Sequence, residues 1–292
     1  MNIRTDHASH PSFIESLESR LFLSASPLTT AAPHNLAPAI HAKPLAAPKQ
    51  AAATINLADL LGYSRRGGSW NYNATYKLTS SEGTDSLSGA YQVSVARKTT
   101  KIDGHASNLV TISTAAAADI TLTTAWYSDA TGTNVNAVAI NSMTNLGKIN
   151  LTLHDTRIAP KSLTVGKSYS DIGTFDGKLT VSNNGINATG TISGNTTATT
   201  KLIGTEQVTV PAGTFNAIKG TYTIQMTGTL RVRYQGKTAS AKFSATVNQT
   251  FFAVQGTGIV KGTTTATIKI TAPSLGSETA SVTASTDLTS FK

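Results

Sequence analysis

The chain of 292 residues contains no cysteine, and only 13% of its residues are charged. The missing cysteines exclude a disulfide framework and thiolate chemistry, and they are compatible with either redox compartment. No apolar run reaches the roughly 18 residues that a membrane-spanning helix needs, so we expect no transmembrane span.

The sequence also lacks the short motifs that accompany catalysis or metal binding. It contains neither the G-x-S-x-G of a nucleophile elbow nor the D-x-D-x-D-G of a calcium loop. Four of the six histidines, His7, His10, His34 and His41, lie near the start at spacings that fit no zinc pattern. We therefore predict a non-enzymatic protein with no catalytic residue, no metal site and no cofactor.

Positive charge is in excess, with a net charge of +9 and a pI of about 9.7. The lysines and arginines are scattered, and the densest groups lie at residues 97–101 and 231–237. Nucleic-acid binding requires clustered cations with aromatic side chains for stacking, so no nucleic-acid partner is expected. A diffuse positive field instead favours attraction to acidic surface polymers or membrane surfaces.

The residues that are abundant predict β-strands. Threonine is frequent, and its β-branched side chain suits a pleated, partly solvated surface. Apolar and polar residues alternate from Trp70 to Leu78, which places Trp70, Tyr72, Tyr76 and Leu78 on one face of a strand. No convincing amphipathic helix appears, although Ile55–Leu61 could form a single helical turn.

A second strong pattern runs from residue 204 to residue 260. Val208 and Val210 share one face of a strand, and Pro211–Thr214 has the composition of a hairpin turn. The next strand places Tyr222 and Met226 on one face.

The sequence as a whole predicts an all-β fold of about a dozen strands. The strands would form an antiparallel, strongly curved sheet, as a half-barrel or an open barrel, and a sandwich is the alternative. The β domain covers residues 58–292, and a boundary at residues 160–166 divides it into possible related halves, 58–160 and 161–292.

The N-terminal residues differ from the rest. Six of the nine prolines fall within residues 1–57, and residues 27–57 are rich in alanine and proline. This composition predicts a disordered N-terminus that contains a flexible linker over residues 27–57.

Residues 1–26 contain Phe13–Ala25, which reads F-I-E-S-L-E-S-R-L-F-L-S-A. It resembles the planctomycete export-associated segment L-E-P-R-x-L-L-S-A, the LEPR-XLL type. Seven positions match, and they are Leu17, Glu18, Arg20, Leu21, Leu23, Ser24 and Ala25. Ser19 stands where proline is usual, and Phe22 stands where leucine is usual. The resemblance implies an exported protein located in the periplasm, on the cell surface or outside the cell. The physical alternative is a short amphipathic helix, because the apolar run is short for a signal peptide.

The C-terminal part carries a second resemblance. Glu206–Phe215 reads E-Q-V-T-V-P-A-G-T-F, residues 256–260 read G-T-G-I-V, and Leu288 lies near the end. These features are similar to an uncharacterised bacterial envelope β-family with the motif E-x-V-x-V-P-A-G-x-F. The resemblance implies a curved antiparallel architecture outside the cytoplasm and implies no reaction.

Candidate binding residues come from the aromatic side chains and one carboxylate. An apolar small molecule inside the curved sheet would contact an aromatic set together with Glu206; the aromatic set is Trp70, Tyr72, Tyr76, Trp126, Tyr222 and Phe251. The alternative is that these aromatic residues form the core.

Glu206 has two interpretations. Strict alternation places it beside Val208 towards the core, where an unpaired carboxylate would mark a functional site. A bulge at Gly204, or pairing with a lysine at the rim of the sheet, would make its role structural. A hydrolase using Glu206 with Asp155 or His154 is the least favoured hypothesis.

The function expected from the sequence is therefore that of a non-enzymatic exported protein of the cell envelope or surface. A carrier of an apolar ligand on a concave sheet face is the alternative.

Overall fold

A computed structural model describes residues 55–80, 83–114, 120–142, 147–183, 186–234, 237–272 and 276–292. The predicted export-like segment, 1–26, lies outside these residues, as does the predicted linker up to residue 54. One short helix, α1, spans Leu57–Leu60. The strands are β1 (Ser69–Ser80), β2 (Gly83–Val95), β3 (Thr100–Ile102), β4 (His105–Thr114), β5 (Ile120–Ser128), β6 (Gly132–Ser142), β7 (Gly147–His154), β8 (Arg157–Pro160), β9 (Ser168–Asn183), β10 (Ile186–Val210), β11 (Gly213–Tyr234), β12 (Lys237–Val254), β13 (Gly258–Ala272) and β14 (Gly276–Phe291).

All fourteen strands belong to one antiparallel sheet. Its order is β2-β1-β14-β13-β12-β11-β10-β9-β7-β6-β5-β4-β3, and β8 pairs with β6. The sheet curls until its ends meet, where residues 91–95 of β2 pair with residues 110–114 of β4. The rest of β2, residues 83–90, pairs only with β1 among the described residues. The predicted all-β, strongly curved half-barrel is confirmed.

The strand faces follow the alternation in the sequence. In β1, Trp70, Tyr72 and Ala74 are buried, whereas the intervening Asn71 and Asn73 are exposed. Because a two-residue side-chain period assigns each residue to one face, the inner, concave face collects the apolar residues and the outer, convex face the hydroxyl side chains.

One end of the curled sheet is closed by α1 and the residues that follow it. Leu57, Leu60 and Leu61 are buried against the concave face, and the Tyr63 ring lies 4.8 Å from that of Trp126. The Asn56 side chain caps the helix by accepting a hydrogen bond from the Asp59 N–H. We call this group of α1 and Tyr63 the end plug. It confirms the single helical turn predicted near residue 55.

The predicted hairpin near residue 211 is present as a two-residue connection between β10 and β11. β10 ends at Val210 and β11 begins at Gly213, whose φ of 134° lies in the region that glycine tolerates. The Ala212 N–H donates a hydrogen bond to the Leu288 carbonyl, 3.0 Å away. The hairpin tip is thereby attached to β14, three strands away in the sheet.

Candidate functional site

The predicted aromatic residues divide into two groups according to burial. Trp70, Tyr72, Trp126 and Phe251 are at most 5% exposed and belong to the core. Tyr76 and Tyr222 lie on the same concave face and are half-buried. The sheet therefore brings the set to one face, but four of its six members are covered by the protein's own side chains.

Polar atoms of the buried aromatic residues are also satisfied within the protein. The Trp70 indole N–H donates to the Thr257 carbonyl, and the Tyr72 hydroxyl donates to the Ile259 carbonyl at 2.8 Å. Burial raises the pKa of the Tyr72 and Tyr222 hydroxyls above the usual value. These phenols are therefore neutral at physiological pH and cannot supply a phenolate there.

Away from the end plug, the concave face carries a row of half-buried apolar side chains. Strand register places Leu78 beside Val282, Val282 beside Ala266, Ala266 beside Val247, and Val247 beside Ile224. All five are half-buried. We call this row the open-end row. It is continuous across β1, β14, β13, β12 and β11, and each of its members retains some exposed apolar area.

Beyond Ile224 the open-end row continues through buried Ala198 to Asp171. The Asp171 carboxylate accepts hydrogen bonds from the Arg157 guanidinium at 3.0 Å and from the Tyr169 hydroxyl at 2.9 Å. Arg157 belongs to β8 and Asp171 to β9, so this ion pair attaches β8 to the neighbouring strand. The carboxylate has a structural partner on each side.

Glu206 lies just past a bulge in β10, on the strand face that it shares with the buried Val208 and Val210. A bulge between Leu202 and Gly204 inserts one residue into β10, and this reverses the alternation from Gly204 onward. Glu206 therefore shares a face with Lys219, whose ammonium group lies 3.1 Å from the carboxylate. The Glu206 side chain is 51% exposed. The bulge and the lysine partner are the two features expected if the role of Glu206 is structural. Glu206 does not lie on the strand face that carries the aromatic set.

The hydrolase hypothesis required Glu206 to act with His154 or Asp155. The His154 ring instead hydrogen-bonds two other carboxylates, Asp103 at 3.0 Å through Nδ1 and Asp176 at 2.6 Å through Nε2. Asp155 occupies the left-handed region with a φ of 53°, at the turn after β7. The described ion pairs therefore place Glu206 and His154 in separate clusters.

The cluster of Asp103, His154 and Asp176 was not predicted from the sequence. It joins the β3–β4 turn, the end of β7 and the middle of β9. The carboxylates of Asp176 and Asp103 accept hydrogen bonds from the protonated ring, and this raises the His154 pKa above its usual value. The signal available in the sequence was weak, since the carboxylates are 51 and 22 residues away from His154.

Two kinds of feature are absent from the described residues. They contain no group of three or more His, Cys, Asp or Glu side chains arranged to hold a metal ion. None of the helices in the described ranges has the length and apolar character needed to cross a membrane.

Comparisons with known proteins found distant structural likeness only. No family model matches the chain, and no curated protein matches its sequence. A Bacteroides fragilis protein described as exported, with a YmcC-like fold, is 14% identical; the match covers 78% of this chain and 96% of that one, with a TM-score of 0.30. A protein of Parabacteroides distasonis described as a lipoprotein is 13% identical; the match covers 78% of this chain and 95% of that one, with a TM-score of 0.24. At these TM-scores neither likeness carries an argument about function.

Proposed function

We propose that this protein is exported from the cytoplasm and is a non-enzymatic component of the cell envelope or cell surface. The observation that carries the proposal is the segment Phe13–Ala25, in which seven positions match the planctomycete export-associated pattern in order. The Ala- and Pro-rich residues 27–57 that follow have the composition of a spacer between such a segment and the β domain.

The pairing of charged side chains supports the non-enzymatic part of the proposal. Glu206 pairs with Lys219, and Asp171 with Arg157. A general acid or base needs a reacting group within hydrogen-bond reach and a pKa suited to its task. These carboxylates instead face cations that connect neighbouring strands, which is a structural arrangement.

Localisation of leader variants tests the proposal. Leu21→Ser with Leu23→Ser replaces two apolar residues of the segment, whereas Leu28→Ser with Leu36→Ser makes the same chemical change in the linker. We expect the first pair to raise the cytosolic fraction of the full chain at least several-fold and the second pair to leave it unchanged. Equal distributions for both pairs would remove the segment as the basis of export.

One observation favours a second candidate function, the binding of an apolar molecule on the concave face. The open-end row presents five half-buried apolar side chains in register across five strands. Concave apolar surface of this kind is where small apolar ligands bind, because burial of both surfaces removes apolar area from water. The site would differ from the predicted aromatic set, most of which is core.

Native mass spectrometry of the full chain tests this second candidate. A bound apolar molecule would add a discrete mass to the protein purified from its own cells. Ile224→Lys should abolish that mass because it places a charge in the open-end row. Gln225→Lys, on the exposed opposite face of the same strand, should leave it unchanged. A bare protein mass in the wild-type chain would rule the candidate out.

A further inference from the structure

The convex face of β13 and β14 carries mainly hydroxyl side chains. On β13, the alternate outward positions are Thr263, Thr265, Thr267, Lys269 and Thr271, and serines and threonines of β14 lie beside them. Cross-strand hydroxyl pairs occur on the convex face, including Thr271 and Ser277 at 2.8 Å and Ser170 and Thr199 at 3.1 Å. Such a surface can donate and accept hydrogen bonds over a wide area.

Four cations cross this hydroxyl surface along a diagonal. Strand register pairs Lys269 with Ser244 and Lys242 with Thr271, so the two lysines are diagonal neighbours on β13 and β12. Lys242 pairs with Thr229 and Arg231 with Ser240, so Arg231 continues the line on β11. Arg233 follows two residues later on the same face. We call these four residues the basic diagonal.

The spacing within the basic diagonal follows from sheet geometry. Diagonal cross-strand neighbours lie about 7 Å apart, and alternate residues of one strand lie at a similar distance. The four side chains are exposed. None of the four forms an ion pair with another described residue, in contrast to Lys219, Lys261 and Arg157. Like charges held at this distance repel each other, so the arrangement of the four cations does not stabilise the fold.

Neighbouring charges do not neutralise the basic diagonal. Lys178 of β9 is a fifth cation on the same face. It pairs in register with Thr191 of β10, and Thr191 pairs on its other side with Arg231. The carboxylate of Asp176 also lies on this side of β9, where it is engaged by the His154 ring. The result is a line of cations that have no ion-pair partner among the described residues, within a surface of hydroxyl groups.

We infer that the basic diagonal and the hydroxyl surface around it bind an acidic polysaccharide. The cations would contact the carboxylate or sulfate groups of the polymer, which the planar arginine fork matches in a bidentate manner. The neighbouring threonine and serine hydroxyls would hydrogen-bond to sugar hydroxyls. The inference rests on the proposed function, since an envelope location brings the protein into contact with surface polysaccharides.

Two other polyanions fit this surface less well. Binding of single-stranded nucleic acid relies on aromatic side chains between the cations, and no aromatic residue lies on the basic diagonal or beside it in register. A membrane surface is held by apolar anchors together with charge. The large exposed apolar residues of the described ranges are Val165, Ile172, Ile203 and Phe291, and none belongs to the basic diagonal.

Equilibrium binding of the purified full chain tests the inference. The probes are polygalacturonate, dextran sulfate and neutral dextran, with single-stranded DNA and anionic phospholipid vesicles as competing polyanions. We expect at least one acidic polysaccharide to bind more tightly than DNA and vesicles, and neutral dextran not to bind. Raising the salt concentration should weaken binding, because mobile ions screen the charges. Comparing the affinities for polygalacturonate and dextran sulfate shows whether the surface prefers carboxylate or sulfate groups.

Two triple variants with equal loss of charge separate a site from a general field. Arg231→Thr, Arg233→Thr and Lys242→Thr break the basic diagonal. Lys77→Thr, Lys161→Thr and Lys167→Thr remove three exposed lysines elsewhere. The first variant should raise the dissociation constant at least tenfold and the second less than twofold.

Several results would overturn the inference. Equal weakening in both variants would assign binding to net charge alone. Unchanged binding in the first variant would exclude the basic diagonal, and tighter binding of DNA or vesicles would assign the surface to another partner. Binding is measured on purified protein, whereas export is measured by localisation in cells. A failure of the polysaccharide inference is therefore distinguishable from a failure of the proposed export.

Discussion

His154 is the residue on which three parts of the sheet converge. Its ring bridges Asp103 and Asp176, and the three side chains are 37%, 46% and 65% exposed respectively. Because solvent screens such exposed pairs, the cluster contributes little to stability, on the order of 0.5 kcal/mol. Its contribution nevertheless depends on pH, since only the protonated ring donates from both nitrogens.

The pH dependence of this contribution has a definite sign. The folded-state pKa of His154 is raised, so the protonated ring stabilises the fold below the unfolded-state pKa of about 6.5. The stabilisation is lost as the pH rises through the folded-state pKa. We expect His154→Gln to lower the unfolding free energy more at pH 5.5 than at pH 9, as measured by urea denaturation. A loss that is the same at both pH values would contradict this explanation.

Sequence reasoning has a clear limit at the residue scale. The alternation of β1 correctly places Trp70 and Tyr72 inward, because side-chain direction is a local property of a strand. The position of Glu206 depends on a bulge, and the partners of His154 depend on strand pairing over long separations. Neither can be deduced from local alternation alone.

At the scale of elements, glycines permit close approach of β10 and β11. A Cβ atom on Gly194 would lie 2.0 Å from the Thr227 carbonyl oxygen, and one on Gly228 would lie 2.1 Å from the Ser193 carbonyl oxygen. The two glycines are paired with each other in the register. On the flanking strands, Phe175 of β9 pairs with Gly194 and Phe243 of β12 pairs with Gly228. The two phenylalanine rings meet edge to face, with their centroids 6.3 Å apart. The aromatic rings cover the area that the glycines leave open.

Alanine at either glycine should therefore destabilise the protein. Gly194→Ala or Gly228→Ala forces backbone to move, and we expect a loss of about 2–4 kcal/mol in unfolding free energy. Gly204→Ala is the matched control in β10, because its Cβ would meet no atom within 4 Å. Its change should lie within about 0.5 kcal/mol of zero. Denaturant unfolding compares the three variants, and equal effects would refute the role of close approach.

The end plug yields another prediction at this scale. Leu60 is 1% exposed, whereas Val165 in the loop before β9 is 39% exposed. We expect Leu60→Ala to cost about 2–5 kcal/mol, through lost burial and the cavity left behind. Val165→Ala should cost no more than about 0.5 kcal/mol. Thermal and urea unfolding of both variants measure the difference, and a small effect at Leu60 would mean that the plug does not support the sheet.

Strand identity was more predictable than strand length. The count of about a dozen strands is close to the fourteen of the structure, but local alternation does not indicate that β10 runs for 25 residues. Glycine within a strand ordinarily marks a weak point or a bulge, yet Gly194 pairs within β10 and Gly204 follows a bulge without ending the strand. The pattern of residues along one strand does not show which neighbouring strand pairs with it. Pairing with a long neighbour such as β11 keeps β10 extended.

At the scale of the whole molecule, the chain carries a net charge of +9, and part of its positive charge is concentrated on the sheet. The basic diagonal places four cations on one part of the convex face. Two unit charges about 7 Å apart repel by on the order of 0.5 kcal/mol in water. The fold therefore carries a modest electrostatic cost that salt should relieve.

A salt titration of stability tests this cost. Raising NaCl from about 10 mM to about 150 mM shortens the screening length from about 30 Å to about 8 Å. We expect the melting temperature of the wild-type chain to rise by about 2–4 °C more than that of the triple variant lacking Arg231, Arg233 and Lys242. Calorimetric melts of both proteins give this difference. Equal salt responses would show that the four cations do not interact.

The fold class was predictable because its determinants are repeated along the chain. Alternation and turn residues recur in strand after strand, and together they imply an antiparallel curved sheet. The open-end row and the basic diagonal are different, because each takes one residue from several strands. Their composition is in the sequence, but their assembly depends on register, which is set by the whole sheet.

Localisation of the unmodified protein in its own cells is the most direct test of the proposed function. Quantitative mass spectrometry of peptides from residues 58–292 would be applied to cytosol, envelope and medium fractions. We predict that most of the protein is found in the envelope or the medium. Detection only in the cytosol would contradict export and, with it, a role in the envelope or on the cell surface.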